Sequence, residues 1–155
     1  MPNVHSQRHS DPQGVLDPAV PSSSPIVILH TSGYSRYGCG AAALPPGRAG
    51  LEAFLLEYLS PEHRDSPADG CPSAALLDEI GRCATATKDA YTGGTRSILD
   101  EIATRLAPGD PRSAYGKAVG IFTMVAGTLQ LARALSDPKL SDEVLAHGIE
   151  NARRS

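Results

Sequence analysis

From Ser113 to Leu135 the chain places apolar or small residues on nearly every side of the helix that its spacing predicts. Ala118, Phe122, Val125, Leu129 and Ala132 form one stripe at helical period. Ile121, Met124, Thr128, Leu131 and Leu135 form a second, about a third of a turn away. Gly120, Gly127 and Ala134 recur on the far side, with Gly116 beside them. Only Lys117, Thr123, Gln130 and Arg133 resist burial. A helix that is apolar all round must be covered all round. A chain of 155 residues offers few other helices for that, so a second copy is the expected cover. A membrane is not expected to supply it, because the uncharged run 118–132 falls short of the ~20 apolar residues that span a bilayer.

Other helices flank this one. Leu51, Phe54, Leu55, Tyr58 and Leu59 follow the helical pattern without a miss, and Ser60-Pro61 stops it. Ser60 to Gly70 reads as a polar loop. Pro72 suits the first turn of a second helix that buries Ala75, Leu76, Ile80 and Cys83. A third runs from Thr87 to Leu106 and buries Tyr91, Ile98, Leu99, Ile102 and Leu106. Gly93-Gly94 inside it costs about 1 kcal/mol per glycine relative to alanine, which predicts a bend or a weak turn. Asp110 and Pro111 have the character of an N-cap and a first helical position for the doubly apolar helix. Ser136-Asp137-Pro138 ends it, and Ser141 is expected to cap a last helix with Val144, Leu145, Ile149 and Ala152 on its apolar side.

The fold class is therefore all-α, with about five helices and no strand pattern after Gly47. The last two form an antiparallel pair, and two such pairs, one from each copy, make a four-helix dimer bundle. The residues expected at that interface are Gly120, Gly127, Thr128, Leu131, Leu135, Val144, Leu145 and Ile149.

Residues 1–47 have a different character. They hold seven of the thirteen prolines and runs such as Pro21-Ser22-Ser23-Ser24-Pro25. Such a segment cannot bury enough apolar surface to offset chain entropy, and disorder is expected. Ile26-Val27-Ile28-Leu29 is a lone β-like patch without a partner strand.

Charge and composition narrow the function. A net charge of −3 argues against sequence-wide affinity for nucleic acid, and the only basic cluster is Arg153-Arg154. Without tryptophan and with few aromatics, stacking platforms for single strands are not expected. The first ten residues contain no apolar secretory core, so the expected location is the cytoplasm. Cys39, Cys71 and Cys83 form no CxxC pair, and the five histidines stand at no metal-ligand spacing. No metal and no cofactor is expected; Cys71 and Cys83 read as small buried hydrophobes.

Catalytic constellations do not emerge. Asp78-Glu79 and Asp100-Glu101 are helix neighbours that point about 100° apart, so neither pair converges as acid and base. His63 lies beside Arg64 and Asp65 in the polar loop without a nucleophile, and reads as a surface histidine. Gly93-Gly94 lacks the lysine and the strand of a phosphate loop. The chain is not expected to be an enzyme.

Two stretches carry a family resemblance. One is Tyr58-Leu-Ser-Pro-Glu-His-Arg-Asp-Ser-Pro-Ala-Asp-Gly-Cys-Pro-Ser-Ala-Ala-Leu. The other is Leu131-Ala-Arg-Ala-Leu-Ser-Asp-Pro-Lys-Leu-Ser-Asp-Glu-Val-Leu. Together they resemble the C-terminal half of TetR/AcrR-type transcriptional regulators, over residues 48–155. The resemblance implies an effector-binding and dimerisation domain in which the last two helices form the dimer bundle. It also implies a small, mostly apolar effector among the central helices. Phe54, Tyr58, Leu76, Tyr91, Ile98, Phe122 and Met124 are then the pocket candidates, with Tyr58 or Tyr91 able to donate a hydroxyl hydrogen bond. Family members read operator DNA with an N-terminal helix-turn-helix. Residues 1–47 contain no such pattern, so the chain reads as a truncated or mis-started member. Two other roles fit the same residues: a dimerisation-only module that pairs with full-length relatives, and a remnant without a selected role.

Overall fold

Prolines and short polar side chains set where the helices begin. The computed structural model describes residues 44–155. Helix α1 spans Gly47–Tyr58, α2 Pro61–Asp65, α3 Pro72–Ala75, α4 Leu77–Arg82, α5 Thr85–Leu106, α6 Tyr115–Ala134 and α7 Pro138–Arg154. Single 3-10 turns at Pro67–Asp69 and Pro111–Ala114 complete the helical elements. No strand occurs among the described residues, so the class is all-α. The expected disorder of 1–47 and the Ile26–Leu29 patch lie outside the described residues, except for the last few positions. There Leu44 already packs against the core, and Pro45 offers its carbonyl to Arg105.

Three N-caps explain three starts. Ser60 Oγ accepts from His63 N at 3.1 Å, with Pro61 at the first helical position of α2. Asp110 caps the turn before α6 by accepting from Ser113 N at 3.4 Å. Asp137 Oδ1 accepts from Lys139 N at 2.9 Å and Leu140 N at 3.4 Å to start α7. The last helix thus begins at Pro138, and Ser141 is not its cap. Its hydroxyl is buried and donates to Ala132 O at 2.8 Å instead, pinning α7 to the end of α6.

Other expectations need correction. Ser60–Gly70 is not a loop, because capping and two prolines organise it into α2 and a 3-10 turn. The helix expected from Pro72 breaks at Leu76, whose φ of −132° departs from helical geometry. Gly93-Gly94 does not interrupt the helix: α5 runs from Thr85 to Leu106 through both, since its interior hydrogen bonds outweigh glycine's entropy cost.

Helix α6 is the centre of the packing. It contacts α2, α3, α5 and α7, most extensively α7. Ser141 meets Ala132, and Gly148 meets Thr128, so α6 and α7 run in opposite directions. The core joins Leu51, Leu55 and Tyr58 of α1 to Ala118, Ile121, Val125 and Leu129 of α6 and Leu145 of α7. Cover is one-sided, however. Gly116, Val119, Gly120, Thr123, Gly127, Leu131 and Ala134 of α6 face outward. Among the described residues, no helix is long and apolar enough to cross a membrane.

Candidate functional site

The outward side of α6 is the first candidate. Gly116, Gly120, Thr123, Gly127, Leu131 and Ala134 are exposed and recur every three or four positions, which is the spacing of one helix face. An extra Cβ at Gly116, Gly120 or Gly127 would meet nothing within 4 Å. Thr123 Oγ1 donates to Val119 O at 2.9 Å and Gly120 O at 3.1 Å, so the helix's own backbone satisfies this hydroxyl. What remains is small and apolar but for Gln130, whose amide donates to Ser73 O at 2.8 Å, and is flanked by Val119 and by Leu131, which is 53 % exposed. Isolated exposed apolar residues are ordinary, whereas these share one face of one helix.

The eight residues expected at the dimer interface divide. Gly120, Gly127 and Leu131 lie on this open face. Thr128 does not, because it packs against Gly148 of its own chain. Leu145 is in the core, and Val144 and Ile149 are half-buried against it. Leu135 is half-buried beside the α6–α7 link. Val119, on the same open face, belongs to neither apolar stripe of the sequence pattern: it lies beside the first, on the side away from the second.

The pocket candidates divide as well. Phe54, Tyr58 and Phe122 are buried and pack on one another: ring centroids are 5.4 Å apart for Phe54–Tyr58 and 6.4 Å for Tyr58–Phe122. Ile98 and Met124 lean on the same core. Leu76 and Tyr91 are half-buried elsewhere, with Tyr91 Oη and Ser73 Oγ sharing a hydrogen bond of 2.8 Å. None of the seven lines either of two surface cavities. One, of about 300 Å³, lies among α1, α6 and α7 over Leu51, Leu55, Ile121 and Ala152. The other, of about 360 Å³, lies by the α6–α7 link near Arg64, Leu135 and Pro138.

Between α2, α3 and α6 sits a buried polar junction. His63 is fully buried, so it is not the surface histidine expected from its neighbours. Its Nε2 accepts from Cys71 N at 3.1 Å, which leaves Nδ1–H to donate to Tyr58 O at 2.8 Å. The ring meets Tyr58 edge-on at 5.0 Å. Burial, with the Arg133 charge assisting, holds the imidazole below its ordinary pKa even though the Tyr58 carbonyl favours the charged form. Arg133 donates to His63 O at 2.6 Å, Ala74 O at 3.0 Å and Arg64 O at 3.1 Å. Those carbonyls lie at helix ends and have no helical partner. Gly70 lets both side chains close in, since a Cβ there would stand 2.9 Å from Arg133 Nη2 and from His63 Nε2. Arg64 continues the network to α7, bonding Ser141 Oγ at 3.1 Å and Asp142 Oδ1 at 2.5 Å. It also holds the exposed Asp65 carboxyl below its usual range by direct hydrogen bonding.

All the imidazole's hydrogen-bonding capacity is spent inside the fold, so the junction ties the short helices to α6 and offers no free base. Among the described residues, no cluster of His, Cys, Asp and Glu could hold a metal ion. Comparison with protein-family models, curated proteins and solved structures gives no match.

Proposed function

We propose that this chain is the dimerising, effector-binding domain of a TetR-type regulator and that two copies pair through the open face of α6, with α7 alongside. The observation that carries the reading is the one-sided cover of α6. An apolar helix of 20 residues, about 30 Å long, is buried along one side and leaves a continuous small-residue stripe on the other. Glycines on that stripe would allow two helix backbones to approach closely. The paired α6–α7 hairpin and the all-helical architecture agree with what the sequence resemblance implies. Operator reading is no part of the proposal, since residues 1–47 carry no pattern for it.

Mutual packing of Phe54, Tyr58 and Phe122 favours a second reading, in which the chain is a dimerisation module that needs no effector among the central helices. It would then form mixed dimers with full-length relatives. Sedimentation of the purified chain tests the pairing common to both readings, and a dimer in the micromolar range is expected. Thermal-shift screening with hydrophobic small molecules, set beside mixing with a full-length relative, separates them: the first reading predicts a raised Tm with a ligand, the second mixed dimers and no such rise.

A further inference from the structure

The cavity of about 300 Å³ among α1, α6 and α7 combines an apolar floor with a cationic rim. Leu51, Leu55, Leu106, Ile121 and Ala152 supply the floor. Arg48, Lys117 and Arg153 stand around it, opposed by the Glu52 carboxylate. Glu52 and Glu150 both pair with Arg153, and Ser155 also lines the cavity, so the rim cations outside an ion pair among the described residues are Arg48 and Lys117. Arg48 spends one N–H on Arg153 O at 3.1 Å, a neutral partner that leaves its charge uncompensated. Lys117 is exposed and makes no ion pair among the described residues. Arg153 Nε is buried without a hydrogen-bond partner among the described residues, leaving one donor of that guanidinium unmet.

We propose that this cavity binds a small amphipathic carboxylate, its apolar chain on the leucine and isoleucine floor and its carboxylate on the Arg48–Lys117 side of the rim. The volume is at the small end of ligand sites, about 300–1,000 Å³, which suits a short acyl chain or a single ring. Charge selects the head group. A carboxylate meets these two cations, an ammonium is repelled, and an alcohol gains only the floor. The inference rests on the reading of the chain as an effector-binding domain and names the class of effector. It also relocates the site, from the buried aromatic trio to a rim that the sequence scatters over three helices.

Titration of the full 155-residue chain with octanoate, octanol and octylamine, followed by calorimetry and by backbone amide shifts, tests it. Octanoate is expected to bind saturably, at least about tenfold tighter than octanol, with shifts centred on Leu51, Ile121 and Ala152. Lys117→Gln and Arg48→Gln, both at exposed positions, are each expected to weaken octanoate about fivefold while leaving octanol unchanged. No saturable binding, equal affinity for octanol or octylamine, or shifts centred on Phe122 and Tyr91 would overturn the proposal. Sedimentation of the same samples keeps the two ideas apart. A dimer that ignores octanoate sinks only the site, and a monomer that binds it sinks only the pairing.

Discussion

Gly148 of α7 lies so close to the Thr128 side chain of α6 that a methyl group at Gly148 would overlap it. This single approach sets the spacing of the α6–α7 pair and turns Thr128 inward. It also separates two kinds of glycine in the same hairpin, since Gly120 and Gly127 face open space. Gly148→Ala is therefore expected to destabilise the chain by about 1–3 kcal/mol through overpacking. Adding Thr128→Ala should recover part of that loss, which urea unfolding of the three variants would show.

Gly93 presents the opposite case. It sits exposed in the middle of α5 with nothing near a built Cβ. Gly93→Ala is expected to stabilise the fold by about 1 kcal/mol, seen as a higher Tm. A fall in Tm would contradict it.

The buried imidazole makes stability depend on pH in one direction. Burial lowers the folded pKa of His63 below its ordinary 6.5, so the unfolded chain binds a proton more readily than the folded one between those two values. The stability contribution is complete above about pH 6.5 and is lost as pH falls through the folded value. His63→Gln, which can still donate to Tyr58 O, should flatten that slope. His63→Phe should cost about 3 kcal/mol at pH 7.5 by stranding the Tyr58 carbonyl and the Cys71 N–H. Denaturant melts from pH 5 to 8 give both results.

Arg133 is expected to be irreplaceable by lysine. Three carbonyls from two short helices converge on its guanidinium, and an ammonium cannot reach all three from one point. Arg133→Lys should destabilise by about 2 kcal/mol and Arg133→Met by about 3 kcal/mol or more, measured by chemical unfolding.

The helices were legible where periodicity and prolines act locally. The α1 pattern from Leu51 to Leu59 and the stops at Pro61, Pro111 and Pro138 could be read directly, and so could the all-α class. What escaped was set by distant partners. Ser141 has the composition of a cap, yet Asp137 takes that role because Ser141 finds the Ala132 carbonyl across the hairpin. His63 looks exposed among Arg64 and Asp65, yet Cys71 and Arg133 close over it from outside the segment. The spacing of α6 showed correctly that it is apolar on several sides. It could not show which sides its own chain covers, because that depends on where α1, α5 and α7 dock. Periodicity alone therefore groups Thr128 and Leu145 with Gly127 and Leu131, although the fold turns the first two inward.

Sedimentation equilibrium across a concentration series, on the native chain beside Gly127→Leu and Leu131→Asp, tests the pairing of α6 most directly. Both substituted positions are exposed in the single chain, so each variant should stay folded by circular dichroism. The expected result is a native dimer and a shift of both variants toward monomer, by at least about tenfold in dissociation constant. A native chain that remains a folded monomer at high concentration, or variants that dimerise as tightly as the native chain, would contradict it.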